Sequence, residues 1–115
     1  MSQTEALLLT MAIEVPIAVS LVAWRRWAPG RLAIVALASI AASVVTHPLL
    51  WLVDPMLHSS IDTPARWALL ETAIVLVEAG VYAVGAGLTP RRALVTSFVA
   101  NAASFGVGLV IYASG

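Results

Sequence analysis

The chain has 115 residues, 61% of them hydrophobic and 10% charged, where a soluble domain carries about 25% charged residues, so the composition is that of an integral membrane protein. Six arginines balance six acids to a formal net charge of zero, and lysine is absent, which leaves no basic tract to follow a nucleic acid. Cysteine is also absent, which removes disulfides, thiolate metal sites, iron–sulfur clusters and cysteine nucleophiles together.

A bilayer core of about 30 Å takes roughly 20 mostly apolar residues per helix, and the sequence supplies four such runs, at about 6–24, 32–53, 65–88 and 92–113. The predicted fold is all-α: one polytopic domain over residues 1–115, a membrane bundle of four transmembrane helices with no soluble domain and no internal repeat. The first run is expected to remain as a helix, because Met1–Glu5 carries no positive charge and no small-x-small cleavage site follows it. Its end is marked by Trp27-Ala28-Pro29-Gly30, the second run's end by Asp54-Pro55, and the break between the third and fourth by Gly87-Leu88-Thr89-Pro90. Asp62 or Thr63 can cap the third helix with Pro64 in its first turn, and Thr89 with Pro90 repeats the arrangement for the fourth. The loop "DPMLHSSIDTP" is read as an interfacial turn, with Met56, Leu57 and Ile61 lying on the membrane surface and His58 solvated.

Cytoplasmic loops carry the excess of arginine and lysine. Arg25, Arg26 and Arg31 flank the first loop and Arg91 and Arg92 the third, whereas the second has Arg66 beside Asp54 and Asp62. Both termini are therefore expected on the non-cytoplasmic side. Trp24 and Trp27 fall at the inner interface and Trp51 and Trp67 at the outer one, where amphipathic rings settle at headgroup level.

Charged residues near a helix centre cost about 2.5–3.5 kcal/mol each on insertion scales and usually face a bundle interior or a wet cavity. Glu14, Glu71 and Glu78 stand in such positions. Glu71 and Glu78 are seven positions apart, so they differ by only about 20° around the helix axis, and Tyr82 and Gly85 continue the same stripe. Thr10 and Glu14 form a comparable stripe on the first helix, Ser39, Ser43, Thr46 and His47 on the second, and Ser97, Asn101, Ser104 and Gly108 on the fourth. A shared polar interior follows. At about 1.5 Å of rise per residue, Glu14, Glu78 and the Asn101–Ser104 turn come out near the midplane, and Glu71 and His47 nearer the outer surface. The two layers lie roughly 10 Å apart along the third helix, too far for Glu71 and Glu78 to grip one ion.

Pro16 frees the Ala12 carbonyl from its helical bond and Pro48 that of Val44, which gives each proline either a simple bending role or an acceptor beside an ionisable group. The acids themselves have two readings: interhelical hydrogen bonding, or an ion or proton path, the latter fitting midplane carboxylates with no basic partner in their spans. His47 can carry a proton together with Glu71, sit satisfied by a hydroxyl, or act with Glu71 as a weak metal candidate, since no second intramembrane histidine and no Glu-x-x-His repeat accompany it. Gly80, Gly85 and Gly87, with the small-xxx-small pairs Ala102–Gly106 and Ser104–Gly108, point to close helix packing inside the bundle, to oligomerisation, or to both.

Taken together, Glu14-x-Pro16, Thr46-His47-Pro48, "ETAIVLVEAGVY" (71–82) and "ALVTSFVANAASFGVGL" (93–109) resemble a group of small uncharacterised four-helix prokaryotic integral membrane proteins. The resemblance covers most of the chain and implies a fold without implying an activity. A superficial second similarity is to the small multidrug resistance family of proton-coupled exporters, which share the length, the four helices and a glutamate in the first, matched here by Glu14. That family lines its site with aromatics of the second and third helices and can pair protomers antiparallel; Trp51 and Trp67 at the interface and the arginine bias depart from this pattern.

The expectation drawn from the sequence is a non-enzymatic, multi-pass protein of a prokaryotic inner membrane, without cofactor, that binds or conducts protons or small cations as a homo-oligomer. In this reading Glu14, Glu78, Asn101 and Ser104 form a midplane site and Glu71 with His47 its outer entrance. The alternative is an accessory or assembly subunit of a larger membrane complex, in which the same acids bond to another chain.

Overall fold

The computed structural model describes residues 2–114, which form four helices: α1 (Gln3–Arg25), α2 (Leu32–Leu57), α3 (Thr63–Gly85) and α4 (Pro90–Ser114). Each is long and apolar enough to cross a membrane, and the longest dimension of the molecule, 45 Å, matches a bilayer with its headgroup regions, about 40–45 Å.

Local signals explain most boundaries. Ser2 and Glu5 cap α1 reciprocally: the Ser2 hydroxyl accepts from the Glu5 backbone N–H and donates to the Glu5 carboxylate, both at 3.1 Å, satisfying donors that the first turn would otherwise leave open. The other end of α1 closes on Arg26, which adopts a left-handed conformation with φ 56° while backbone bonds from Arg26 and Trp27 return to Ala23 and Val22. Thr89 caps α4 by accepting from the Arg92 N–H at 3.3 Å, ahead of Pro90 in the first position, as its spacing predicts. At the start of α3, Asp62 occupies the cap position with Pro64 just inside, yet its side chain makes no capping bond.

Two boundaries differ from expectation. Asp54-Pro55 does not end the second helix, which continues to Leu57. Pro55 removes only one backbone bond, to the Trp51 carbonyl, close to the helix end, where the loss is absorbed. The third helix stops at Gly85 rather than continuing to residue 88. Ala86 and Leu88 both bond back to the Tyr82 carbonyl, and Gly87 takes φ 70°, a left-handed turn that glycine adopts without steric cost. The turn folds Leu88 inward, where it is 4% exposed.

Each helix packs on its neighbours in sequence, and α1 also closes on α4, while the diagonal pairs α1–α3 and α2–α4 make no comparable contact. The bundle is thus a closed square, its halves differing in character. Toward the end formed by the 26–31 and 86–89 loops, Ala18, Val22, Val35, Ala38, Ala86, Leu88 and Ala93 pack into a dry core around Tyr82. In the other half the interior is polar. Glu14, Thr46, His47, Arg66, Glu78, Ser97 and Asn101 are buried, while Leu52, Leu76, Val84, Phe98 and Val110 are exposed on the outside. That inversion of a soluble protein's pattern is what a lipid-facing surface requires.

The glycines do less packing than their spacing implies. A Cβ built at Gly85 would meet that of Ala38 at 3.6 Å, but one built at Gly80, Gly106 or Gly108 would meet nothing within 4 Å. Among these four, close helix packing inside the bundle is therefore limited to Gly85, because the other three have open space around them, Gly108 on the cavity side.

Candidate functional site

The four polar stripes converge on a cavity of about 490 Å³ that runs inside the bundle from the end bearing the 58–62 loop to roughly half its depth. Its floor is built around two carboxyl groups. Glu78, on the inner face of α3, accepts from the Thr46 hydroxyl of α2 at 2.6 Å and from the Asn101 amide of α4 at 2.9 Å. Glu14, from α1, accepts from the Ser104 hydroxyl of α4 at 2.6 Å. Asn101 is held in turn: its amide also donates to the Ser97 carbonyl at 2.8 Å, and its own carbonyl lies 3.2 Å from the Ser104 hydroxyl. Glu78, Thr46, Asn101 and Ser97 therefore form one hydrogen-bonded cluster across α3, α2 and α4, and Ser104, whose single hydroxyl proton goes to Glu14, ties α4 to α1 beside it. Both carboxyls are 2% exposed. The Ser97 hydroxyl does not face this array alone; it donates to the Val75 carbonyl at 2.8 Å and ties α4 to α3.

No arginine lines the cavity, and the only ion pair among the described residues, Arg66 with Asp54 at 2.6 Å, stands at its mouth. Two buried carboxyls thus share a low-dielectric interior with no arginine among the cavity-lining residues to compensate. Such a pair is stable only if protons or bound cations balance its charge.

Beneath the floor the polar character continues for about one to two helical turns. Tyr82 lies four residues after Glu78 on α3, and Ser43 and Ser39 precede Thr46 on α2; their hydroxyls, and Oε1 of Glu14, are buried with no hydrogen-bond partner. Beyond them the packed alanines and valines of the dry core begin. The cavity is therefore one-sided, open toward one end of the bundle and closed toward the other.

Glu71 and His47 both line the cavity above the floor, but no hydrogen bond joins them among the described residues. The His47 Nε2 instead accepts from the Trp51 indole at 3.0 Å, which places the ring proton on Nδ1 and fixes a neutral tautomer. Glu71 and His47 thus stand as two wall residues without a direct bond, and Trp51, one turn further along α2, holds the imidazole. Among the described residues no three of His, Cys, Asp and Glu converge as metal ligands. Glu71 is half-buried and also borders a second, outer groove of about 370 Å³ between α3 and α4, shared with Asn101 and Phe105. Glu71, Asn101 and Phe105 thus line both the cavity and the groove.

Two features of the mouth escape the sequence reading. Trp51 and Trp67 stand near helix ends, but they also face inward and line the cavity with Phe105 and Tyr112. Trp67 meets Phe105 and Tyr112 edge-on, at ring centroid distances of 6.4 and 6.2 Å. The signal lay in the spacing, since Trp67, Glu71, Ile74 and Glu78 fall on one helical face, as do Asn101, Ser104, Phe105, Gly108 and Tyr112. Arg66, counted in the sequence only toward orientation, is 4% exposed and binds both the Asp54 carboxylate and, at 3.1 Å, the Ile61 carbonyl. It pins the 58–62 loop across the ends of α2 and α3.

Comparison of this chain with protein-family models, with curated proteins and with solved structures returns no match.

Proposed function

We propose that the chain is a small integral membrane protein that takes up protons or small cations through its one-sided cavity and binds them at the Glu14–Glu78 floor. The observation that carries this reading is the buried pair of carboxyls, bonded to the Asn101 and Ser104 side chains of one turn of α4, at the end of a cavity that no arginine lines. Mobile positive charge is the simplest balance for such a site. The unpartnered hydroxyls of Tyr82, Ser39 and Ser43 extend the polar route one to two turns inward, so passage to the far side requires the dry core to open or a second copy to complete the path. Of these two routes, the homo-oligomer is the one proposed. The arginine-rich end is assigned to the cytoplasm of a prokaryotic cell, the cavity opens on the opposite side, and the reading involves no enzymatic step.

A second reading, an accessory subunit of a larger membrane complex, is favoured by the outer α3–α4 groove, where the half-buried Glu71 carboxyl is positioned to meet a polar group of another chain. The two readings separate when the purified protein is sized in detergent and assayed for proton and sodium flux in liposomes. Flux by the parent, abolished in Glu14→Gln and Glu78→Gln, supports the first. A monomer without flux, recovered with another protein on gentle extraction, contradicts it and supports the second.

A further inference from the structure

At the opposite end of the bundle from the cavity, α1 and α4 leave a separate pocket of about 500 Å³, lined by Arg25, Arg91, Arg92, Trp24 and Trp27, with Leu21 and Val95 at its inner edge. The Arg25 guanidinium lies 5.5 Å from the Trp24 ring and 5.7 Å from the ring of Trp27 in the following loop, and that of Arg92, on α4, lies 5.8 Å from the same Trp27 ring. Cation–π contact with Trp27 therefore holds two guanidiniums from different helices beside one another. No carboxylate lines this pocket, and the only ion pair among the described residues is at the far end. The start of α4 adds the positive end of its helix dipole, because Arg91 and Arg92 stand in its first turn. Three fixed positive charges are thus gathered without an internal counter-charge.

We infer that this pocket binds the phosphate-bearing headgroup of an anionic phospholipid, with the guanidiniums on the phosphate and the first methylenes of the acyl chains against Leu21 and Val95. Planar guanidinium groups match phosphate oxygens in geometry as well as charge, and basic pockets between transmembrane helices are suited to such headgroups. A lipid is favoured over a free anion by the layout along the membrane normal. Leu21 precedes Arg25 by one turn and Val95 follows Arg92 by nearly one turn, so both extend the pocket from its charged mouth toward the bilayer centre. Trp24, 75% exposed, stands where an indole meets the headgroup region. The site is independent of the cavity and of any transport through it.

The test is native mass spectrometry of the purified protein after exchange into mixed micelles of phosphatidylglycerol and phosphatidylcholine. The parent is expected to retain phosphatidylglycerol in preference to phosphatidylcholine, and Arg25→Gln and Arg92→Gln are each expected to lower that retention about fivefold, the effect of roughly one arginine contact. Arg26→Gln removes the same charge from the neighbouring position, whose side chain does not line the pocket, and is expected to leave retention within about twofold of the parent. Millimolar inorganic phosphate is expected not to displace the lipid. Equal losses in Arg26→Gln and Arg25→Gln, retention without preference for phosphatidylglycerol, or displacement by inorganic phosphate would each overturn the inference.

Discussion

Glu78 keeps both carboxylate oxygens occupied, one by Thr46 and one by Asn101, and Asn101 stands in the same turn of α4 as Ser104, the donor to Glu14. Truncation of Asn101 to alanine removes donors from Glu78 and from the Ser97 carbonyl, and is expected to destabilise the fold by about 1–3 kcal/mol, measured by unfolding in detergent. The effect is expected to be non-additive with Glu78→Gln by more than about 0.5 kcal/mol, because the two side chains share one network. Gly87 provides an unrelated test of local geometry. Its φ of 70°, with a built Cβ only 2.9 Å from the Arg31 guanidinium, predicts a loss of about 1–2 kcal/mol for Gly87→Ala, whereas Gly80→Ala, with open space around it, is expected to be neutral or slightly stabilising.

Among the elements, α2 and α3 are fastened at the cavity mouth by Arg66. Arg66→Ala removes both the Asp54 pair and the bond to the Ile61 carbonyl, with an expected cost of about 1–3 kcal/mol and faster amide hydrogen exchange confined to residues 58–62. Asp54→Asn keeps an acceptor oxygen in place at a half-exposed position, and its expected cost is below about 1 kcal/mol. This fastening also shows where sequence reasoning reached and where it stopped. The helices were legible because apolar runs of bilayer length permit little else, and the inward stripes were legible because helical spacing aligned Glu14, Thr46, Glu78 and Asn101. Hydrogen-bond partners were not, since His47 has two plausible neighbours and only the packed side chains decide for Trp51 over Glu71. Helix ends were blurred by proline and glycine signals that tertiary context overrides: Pro55 lies inside a helix and Gly85 ends one. The aromatic mouth was obscured because a tryptophan near a helix end satisfies an interfacial reading and a cavity reading alike.

For the whole molecule, the division into a polar half and a dry half is the property with functional content. Glu14 and Glu78 are reached from one end through the cavity, whereas Ala18, Val22, Val35 and Ala86 seal the other, so the account predicts a site in contact with one aqueous phase at a time. The most direct test is to treat the protein in liposomes with a hydrophobic carbodiimide, which attacks protonated carboxyl groups within membranes, and to map the modified residues by mass spectrometry. Modification is expected at Glu14 or Glu78, decreasing as pH is raised or as a competing cation is added to the cavity side. Modification restricted to Glu5, Asp54 and Asp62, or labelling of the floor that responds to neither pH nor cations, would contradict it.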